Sequence, residues 1–298
     1  MSLSIVQKYN FPGPRYTSYP TVHYWEEQNF NLEDWKRTLL QSFKESNATE
    51  GISLYIHLPF CESLCTFCGC HKYITTNHQV ESRYIDAVLK EWEHVASQLS
   101  PETRIAEIHL GGGTPTFFAP GELKRLILGL KQLFPISEDL EFGFEAHPNS
   151  TTEEHLQLLY QLGFRRISFG IQDYDPKVQK AIHRVQSFEQ VKKVHDLSRK
   201  IGYESISHDL IFGLPFQTEE SIRNTIKNTI ALKPDRIAYY SYAHVPWTSR
   251  GQRLFDEADL PDAVPFIDEI LLGLGTLLLA NWKNRKAPAG MGTDTSQR

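Results

Sequence analysis

The chain predicts an α/β fold built on a parallel sheet, and three observations carry that prediction. Six short β-branched or aromatic runs alternate with segments of helical apolar spacing. Several of these runs lead straight into glycine, proline or polar clusters at their carboxyl ends, the edge where parallel α/β folds place their sites. Six strands also fall short of a closed eight-stranded barrel, so a partial (β/α)6 barrel is expected.

The expected strands are Ser53–His57, Glu107–Leu110, Leu140–Glu145, Arg166–Phe169, Ser205–Ile211 and Arg236–Tyr242. Apolar residues recur at helical spacing in Tyr84–Leu99, Gly121–Leu133, Glu153–Leu162, Phe188–Ile201 and Glu219–Leu232. Residues 1–50 come before the first strand. They combine aromatic and proline-rich pieces with a helix expected over Leu32–Ser46, and form an arm laid over the barrel. Residues 51–250 make the barrel, and 251–280 begin a C-terminal helical region. Within that region the run Leu271–Ala280 is broken by glycines and too short to span a bilayer, so it reads as a buried helix. Residues 281–298, NWKNRKAPAGMGTDTSQR, have little apolar patterning and are expected to be poorly ordered. No solenoid repeat or low-complexity tract interrupts this scheme.

With 298 residues there is room for one large domain or two modest ones. A net charge of −5 gives no electrostatic footprint for nucleic acid or an anionic membrane. No apolar segment follows a basic start, which argues against a secretory signal.

The strongest chemical signal is CESLCTFCGC, which holds Cys61, Cys65, Cys68 and Cys70, the chain's whole complement of cysteines. Every loop these thiols could close by pairing is local, so they cannot staple distant parts of a fold. Soft-metal ligation in a reducing compartment is the better reading. Structural zinc usually ties two separated knuckles together, whereas here all the thiols sit on one loop, as when a segment wraps a preassembled iron–sulfur cluster. Thiolates suit both metals, so zinc stays open as the alternative. If Cys61, Cys65 and Cys68 hold a 4Fe–4S cluster, one iron is left open for a small chelating molecule.

CxxxCxxC in a loop after a strand resembles the motif of radical S-adenosylmethionine enzymes. The further Cys70, with PRYTSYPT at 14–21, GGGTPT at 111–116 and DLIFGLP at 209–215, resembles the oxygen-independent coproporphyrinogen III oxidases of heme synthesis. The similarity runs from about residue 10 to about residue 280. It implies a partial TIM-like barrel, a 4Fe–4S cluster on Cys61, Cys65 and Cys68, and two molecules of S-adenosylmethionine. It also implies the conversion of two propionates of coproporphyrinogen III to vinyl groups by a 5′-deoxyadenosyl radical, giving protoporphyrinogen IX. An unidentified electron donor and acceptor, a monomeric state and, with an oxygen-sensitive cluster, a cytoplasmic location complete the expectation. The family continues for roughly another helical domain after a segment like Leu271–Ala280, so the polar tail is expected to mark a truncation.

The site residues follow, each with its plainer alternative. By resemblance Cys70 lies close to the bound cofactors without ligating the cluster; a structural thiol or fourth ligand is the other reading. Phe67 packs on an adenine or merely shields the cluster. Gly111, Gly112, Gly113 and Thr114 follow a strand and let a ligand approach the backbone closely, although a lone GGG is by default a tight turn. The resemblance assigns them to the methionine end of the cofactor. Tyr55 is a cofactor hydrogen-bond donor or a partly buried strand tyrosine. Glu145 binds the cofactor's amino or ribose groups or caps a helix. Gln172, Arg184, Asp209 and the backbone near Ala243 match positions that hold the second S-adenosylmethionine; taken singly, such side chains are more often surface or salt-bridge residues. Arg15, and more weakly Arg250 and Arg253, are candidates for the substrate's propionates. Two competing readings remain: a heme-binding chaperone on the same barrel, and an inert fragment.

Overall fold

The computed structural model describes residues 31–47, 49–247 and 249–261, together with Tyr24. Arg15, most of the expected arm and the run Leu271–Ala280 with its polar tail lie outside the described residues. The first helix, α1 (Leu32–Ser46), starts where the Asn31 side chain accepts the Glu33 N–H, with Glu33 and Asp34 complementing the positive end of its dipole. At the other end Asn47 ties it to the sheet's amino edge, donating to the Glu102 carbonyl and accepting from the Arg104 N–H, both at 3.3 Å.

Six strands form one sheet: β1 (Ile52–Leu58), β4 (Ile105–Gly112), β5 (Ile136–Ala146), β6 (Arg166–Gln172), β7 (Ser205–Phe212) and β8 (Arg236–Ser241). They hydrogen-bond in that order and every pairing is parallel. The order never reverses, so the sheet is singly wound, as in a barrel wall, rather than doubly wound about a switch point. The crossover helices are α2 (Val80–Ala96), α3 (Pro120–Leu133), α4 (Glu153–Gln161), α6 (Phe188–Ile201) and α7 (Glu219–Leu232), with the short α5 (Pro176–Ala181) ahead of α6. The five longer helices each pack on the next, forming a continuous outer layer.

Alternation along the strands divides core from site. On β6, Ile167, Phe169 and Ile171 are buried, while Arg166, Ser168, Gly170 and Gln172 take the opposite face. The buried set joins Phe142, Phe144 and Leu210 of neighbouring strands and Leu126, Leu159 and Val194 of the helices in one core. Each such side chain contributes about 1.5–3 kcal/mol through burial. The other face is polar, and its register places Glu145 beside Ser168, and Gly170 beside Asp209.

Several strands run further than side-chain composition predicts. β4 continues into Gly111 and Gly112, and β5 begins at Ile136 rather than Leu140. A ladder is made by backbone groups, so glycines extend it wherever a neighbouring strand supplies partners. The helix expected over Tyr84–Leu99 instead spans Val80–Ala96. Two of the unforeseen features bear on the site. One is α5, signalled by the Asp175–Pro176 pair, in which Asp175 caps the N–H groups of Lys177 and Val178. The other is the short parallel pairing of β2 (Phe60–Cys61) with β3 (Tyr73–Ile74).

Candidate functional site

The β2–β3 pairing closes the base of the cysteine loop. Tyr73 N–H donates to the Pro59 carbonyl at 2.8 Å and Thr75 N–H to that of Cys61 at 2.9 Å. Within the loop a turn brings Cys68 N–H onto the Cys65 carbonyl at 3.1 Å, and Lys72 Nζ crosses back to the carbonyls of Cys68 and Cys70 at 2.9 and 3.2 Å. Thr66 N–H docks the loop on the Ile182 carbonyl at the end of α5, at 3.1 Å. All four cysteines are free, and Cys65 is buried.

The glycine segment reaches the loop from the other side. Gly113 N–H donates to the Leu58 carbonyl at 2.8 Å, and Thr114 N–H to that of Phe60 at 3.1 Å. Gly112 has φ +118°, and its N–H lies 3.4 Å from Glu145 Oε2. Over Gly111 lies the Tyr55 ring, which occupies the space where a β-carbon would stand. Behind Thr114 a hydroxyl chain runs through Thr116 to Ser150 and Thr151, whose hydroxyl groups donate to the His147 carbonyl.

A cavity of about 390 Å³ opens between these segments. Cys61, Cys65, Cys68, Cys70 and Phe67 line it from the loop, and Gly112, Gly113 and Thr114 from the end of β4 and the turn after it. Glu145 and Gln172 enter from the ends of β5 and β6, Asp209 from within β7, and Arg184 from the turn after α5. Tyr55 and Ala243 stand outside this lining. Tyr55 OH lies 3.3 Å from His57 Nδ1, and the Ala243 carbonyl accepts from Gln252 Nε2 at 3.2 Å. Sequence reasoning missed Lys72, Phe117, His147, Ser168, Gly170 and Tyr240. Ser168 and Gly170 were recoverable, since they share the Gln172 face at a period of two; His147 and Lys72 carry no such pattern.

Charge in the cavity is mixed. Burial, then the neighbouring Cys68 and Cys65, pushes the Cys61 thiol up to about 11. The neighbouring Cys70 lowers the Cys68 thiol to about 6, while Cys68 and burial raise the Cys70 thiol. Burial raises Asp209, opposed by the Ser168 hydroxyl donating to its Oδ1 at 2.7 Å. His147 Nδ1 accepts the Asn149 N–H, and burial, aided by Arg184, pushes its pKa down to about 3, so the imidazole is neutral at pH 7.

Three soft sulfur donors on one wall suit an iron–sulfur cluster. The Arg184 Nε, buried without a partner, is a donor left for a ligand. Among the described residues no three His, Cys, Asp or Glu are grouped so as to hold a single metal ion.

Comparison with known proteins fits this geometry. The radical SAM superfamily matches residues 55–228, more than half of the chain, and the chain belongs to that superfamily. A family of unknown function matches residues 257–286. The oxygen-independent coproporphyrinogen III oxidase of Helicobacter pylori is 44% identical over 255 residues, which make up 85% of this chain and 55% of the relative. That of Pseudomonas aeruginosa is 39% identical over 86% of this chain and 55% of its own. The solved coproporphyrinogen III oxidase of Escherichia coli superposes with a TM-score of 0.81 at 34% identity, covering 88% of this chain and 59% of that one. The chain thus spans about half the length of the curated relatives it matches. A methyltransferase from Kitasatospora setae, at 19% identity and a TM-score of 0.50, shares the fold alone. Among the described residues no helix is long and apolar enough to cross a membrane.

Proposed function

We propose that this protein converts two propionate side chains of coproporphyrinogen III to vinyl groups without oxygen, yielding protoporphyrinogen IX. The observation that carries the reading is the convergence of the cysteine loop, Gly112–Thr114, Glu145, Gln172, Arg184 and Asp209 on one cavity. Its extensive identity to oxygen-independent coproporphyrinogen III oxidases supports the choice of substrate.

Cys61, Cys65 and Cys68 would hold the 4Fe–4S cluster. When bound, cluster and S-adenosylmethionine supply one-electron chemistry ending in a hydrogen-abstracting radical. Gly112, Gly113 and Thr114 offer backbone to the methionine end of a first S-adenosylmethionine, with Glu145 and Tyr55 beside it. Phe67 offers a ring face to an adenine. Gln172, Arg184, Asp209 and the backbone at Ala243 would take a second molecule. Cys70 lines the same cavity and would lie near the reacting groups rather than serve as a ligand. An external electron donor and acceptor, a monomeric state and a cytoplasmic location belong to the same proposal, as does residues 51–250 acting as the radical-generating unit.

The test is anaerobic. The protein is reconstituted with iron and sulfide, reduced and given S-adenosylmethionine, and 5′-deoxyadenosine is quantified with and without coproporphyrinogen III. Formation that requires the cluster and rises with the porphyrinogen is expected. A full cluster with no 5′-deoxyadenosine in either arm would overturn the enzymatic reading and leave a cofactor- or heme-binding protein.

A further inference from the structure

We propose that Arg184 acts as a positioning residue for the cluster, donating a charge-assisted hydrogen bond to the sulfur of Cys65 and thereby raising the cluster's reduction potential. The proposal rests on the reading of the cysteine loop as a cluster site. Sequence reasoning gave Arg184 to the second S-adenosylmethionine; the geometry gives it Cys65 as a further partner.

The guanidinium is gripped from two sides. Nη1 lies 3.6 Å from Cys65 Sγ, and Nη2 donates to the Gly170 carbonyl at 2.5 Å. Gly170 must lack a side chain for this, because a β-carbon there would stand 2.7 Å from Nη2. The backbone around the arginine is itself fixed. Arg184 N–H donates to the Gln179 carbonyl at 2.9 Å, and Gln179 Nε2 to the Gln186 carbonyl at 2.7 Å. Gln186 Nε2 in turn donates to the carbonyls of Gly170 and Ile171 at 3.2 and 2.7 Å. A chain of buried amides therefore holds the arginine against the loop, with little rotamer freedom left to lose.

Cys65 is also the cysteine that water can help least, being 9% exposed. Lys72, the other cation on the cavity wall, gives its contacts to backbone oxygens. A guanidinium stays charged at any working pH and is weakly hydrated, which suits a half-dry site. Hydrogen bonds to ligand sulfurs and nearby positive charge stabilise the reduced, more negative cluster, which raises its potential.

The test is a redox titration of the reconstituted protein without S-adenosylmethionine, followed by electron paramagnetic resonance of the reduced cluster. Iron and sulfide content is measured first: if the parent protein takes up no cluster, the site reading fails, and this proposal with it. Given a cluster, Arg184→Met is expected to disfavour reduction by about tenfold, or ~59 mV downward for a one-electron couple. Arg184→Lys keeps the charge but not the planar fork and should fall between the two. Resonance Raman of the parent cluster should show a deuterium-sensitive Fe–S(Cys) stretch that weakens in Arg184→Lys, a readout that survives if the Met variant folds poorly. An unchanged potential in Arg184→Met would overturn the proposal, as would Fe–S(Cys) modes equally deuterium-sensitive in parent and Arg184→Lys.

Discussion

At Gly113 the chain has no room for a methyl group. A β-carbon there would lie 2.5 Å from the Pro59 carbonyl oxygen and 2.8 Å from that of Phe60. Both are backbone atoms, so no change of rotamer relieves the clash. Gly113→Ala should cost about 1–3 kcal/mol in denaturant unfolding and loosen the entry to the cysteine loop. Gly69, inside that loop, meets nothing within 4 Å, and Gly69→Ala should stay within about 0.5 kcal/mol of the parent in the same measurement. The cysteines divide in the same residue-by-residue way. Cys65→Ser should abolish iron uptake, while Cys70→Ser should retain iron near the parent level and lose product. Iron near the parent level in Cys65→Ser would remove it from the ligand set. The CxxxCxxCxC spacing was legible in the sequence, but the opposite shifts of Cys68 and Cys70 were not, because they depend on how the loop folds back on itself.

Between α6 and β7 lies a pair that no motif announced. His195 Nδ1 and His208 Nε2 are 3.0 Å apart, and both rings are buried. His208 Nδ1 is buried with no partner. A lone pair is cheaper to bury unpaired than an N–H, so His208 donates through Nε2 and His195 accepts. Burial drives both pKa values down, to about 4 for His195 and about 3 for His208. Their folded values thus lie below the unfolded value near 6.5. The unfolded chain binds more protons below that pH, so this pair's contribution is full above about pH 7 and is lost as pH falls toward 4. Asp173 works in the opposite direction. Burial raises it to about 6, so folding loses stability as pH rises through 4 to 6. The informative quantity is therefore variant against parent. His208→Leu should shrink the loss between pH 7 and pH 5 by about 2 kcal/mol in chemical denaturation, and an unchanged slope would show that the histidine titrates normally in the fold. The helices themselves were easier to read: α1, α6 and α7 match their expected bounds, since periodic apolar spacing and the caps Asn31, Ser187 and Thr218 mark them locally.

Across the whole molecule the core is unevenly shared. One continuous apolar cluster joins β1, β4, β5, β6 and β7 to α2, α3, α4 and α6, whereas most of α7's buried apolar side chains fall in a small cluster around Ile222 and Ile226. β8 has no fully buried residue, and Tyr240 on it is 57% exposed. Hydrogen exchange should accordingly be slowest in β4, β5 and β6 and measurably faster in β8 and α7, because local opening is cheapest where little apolar surface is buried. Equal protection across all six strands would show instead that the sheet opens only as a whole.

The sequence by itself determined the strand–helix alternation, the parallel sheet and the chemical character of the cysteine loop, because each is written in local composition or spacing. Through its spacing and its resemblance to a known family it also named twelve of the cavity's lining residues, several of them at strand ends that face one rim in a parallel fold. Only the tertiary structure decided which partners those residues meet. That Arg184 reaches Cys65, that Tyr55 fills the space over Gly111, and that His147 is neutral beside the cavity all depend on contacts between segments distant in the chain. Such contacts are set by strand register and the packing of turns, and neither leaves a periodic trace in the residues that make them.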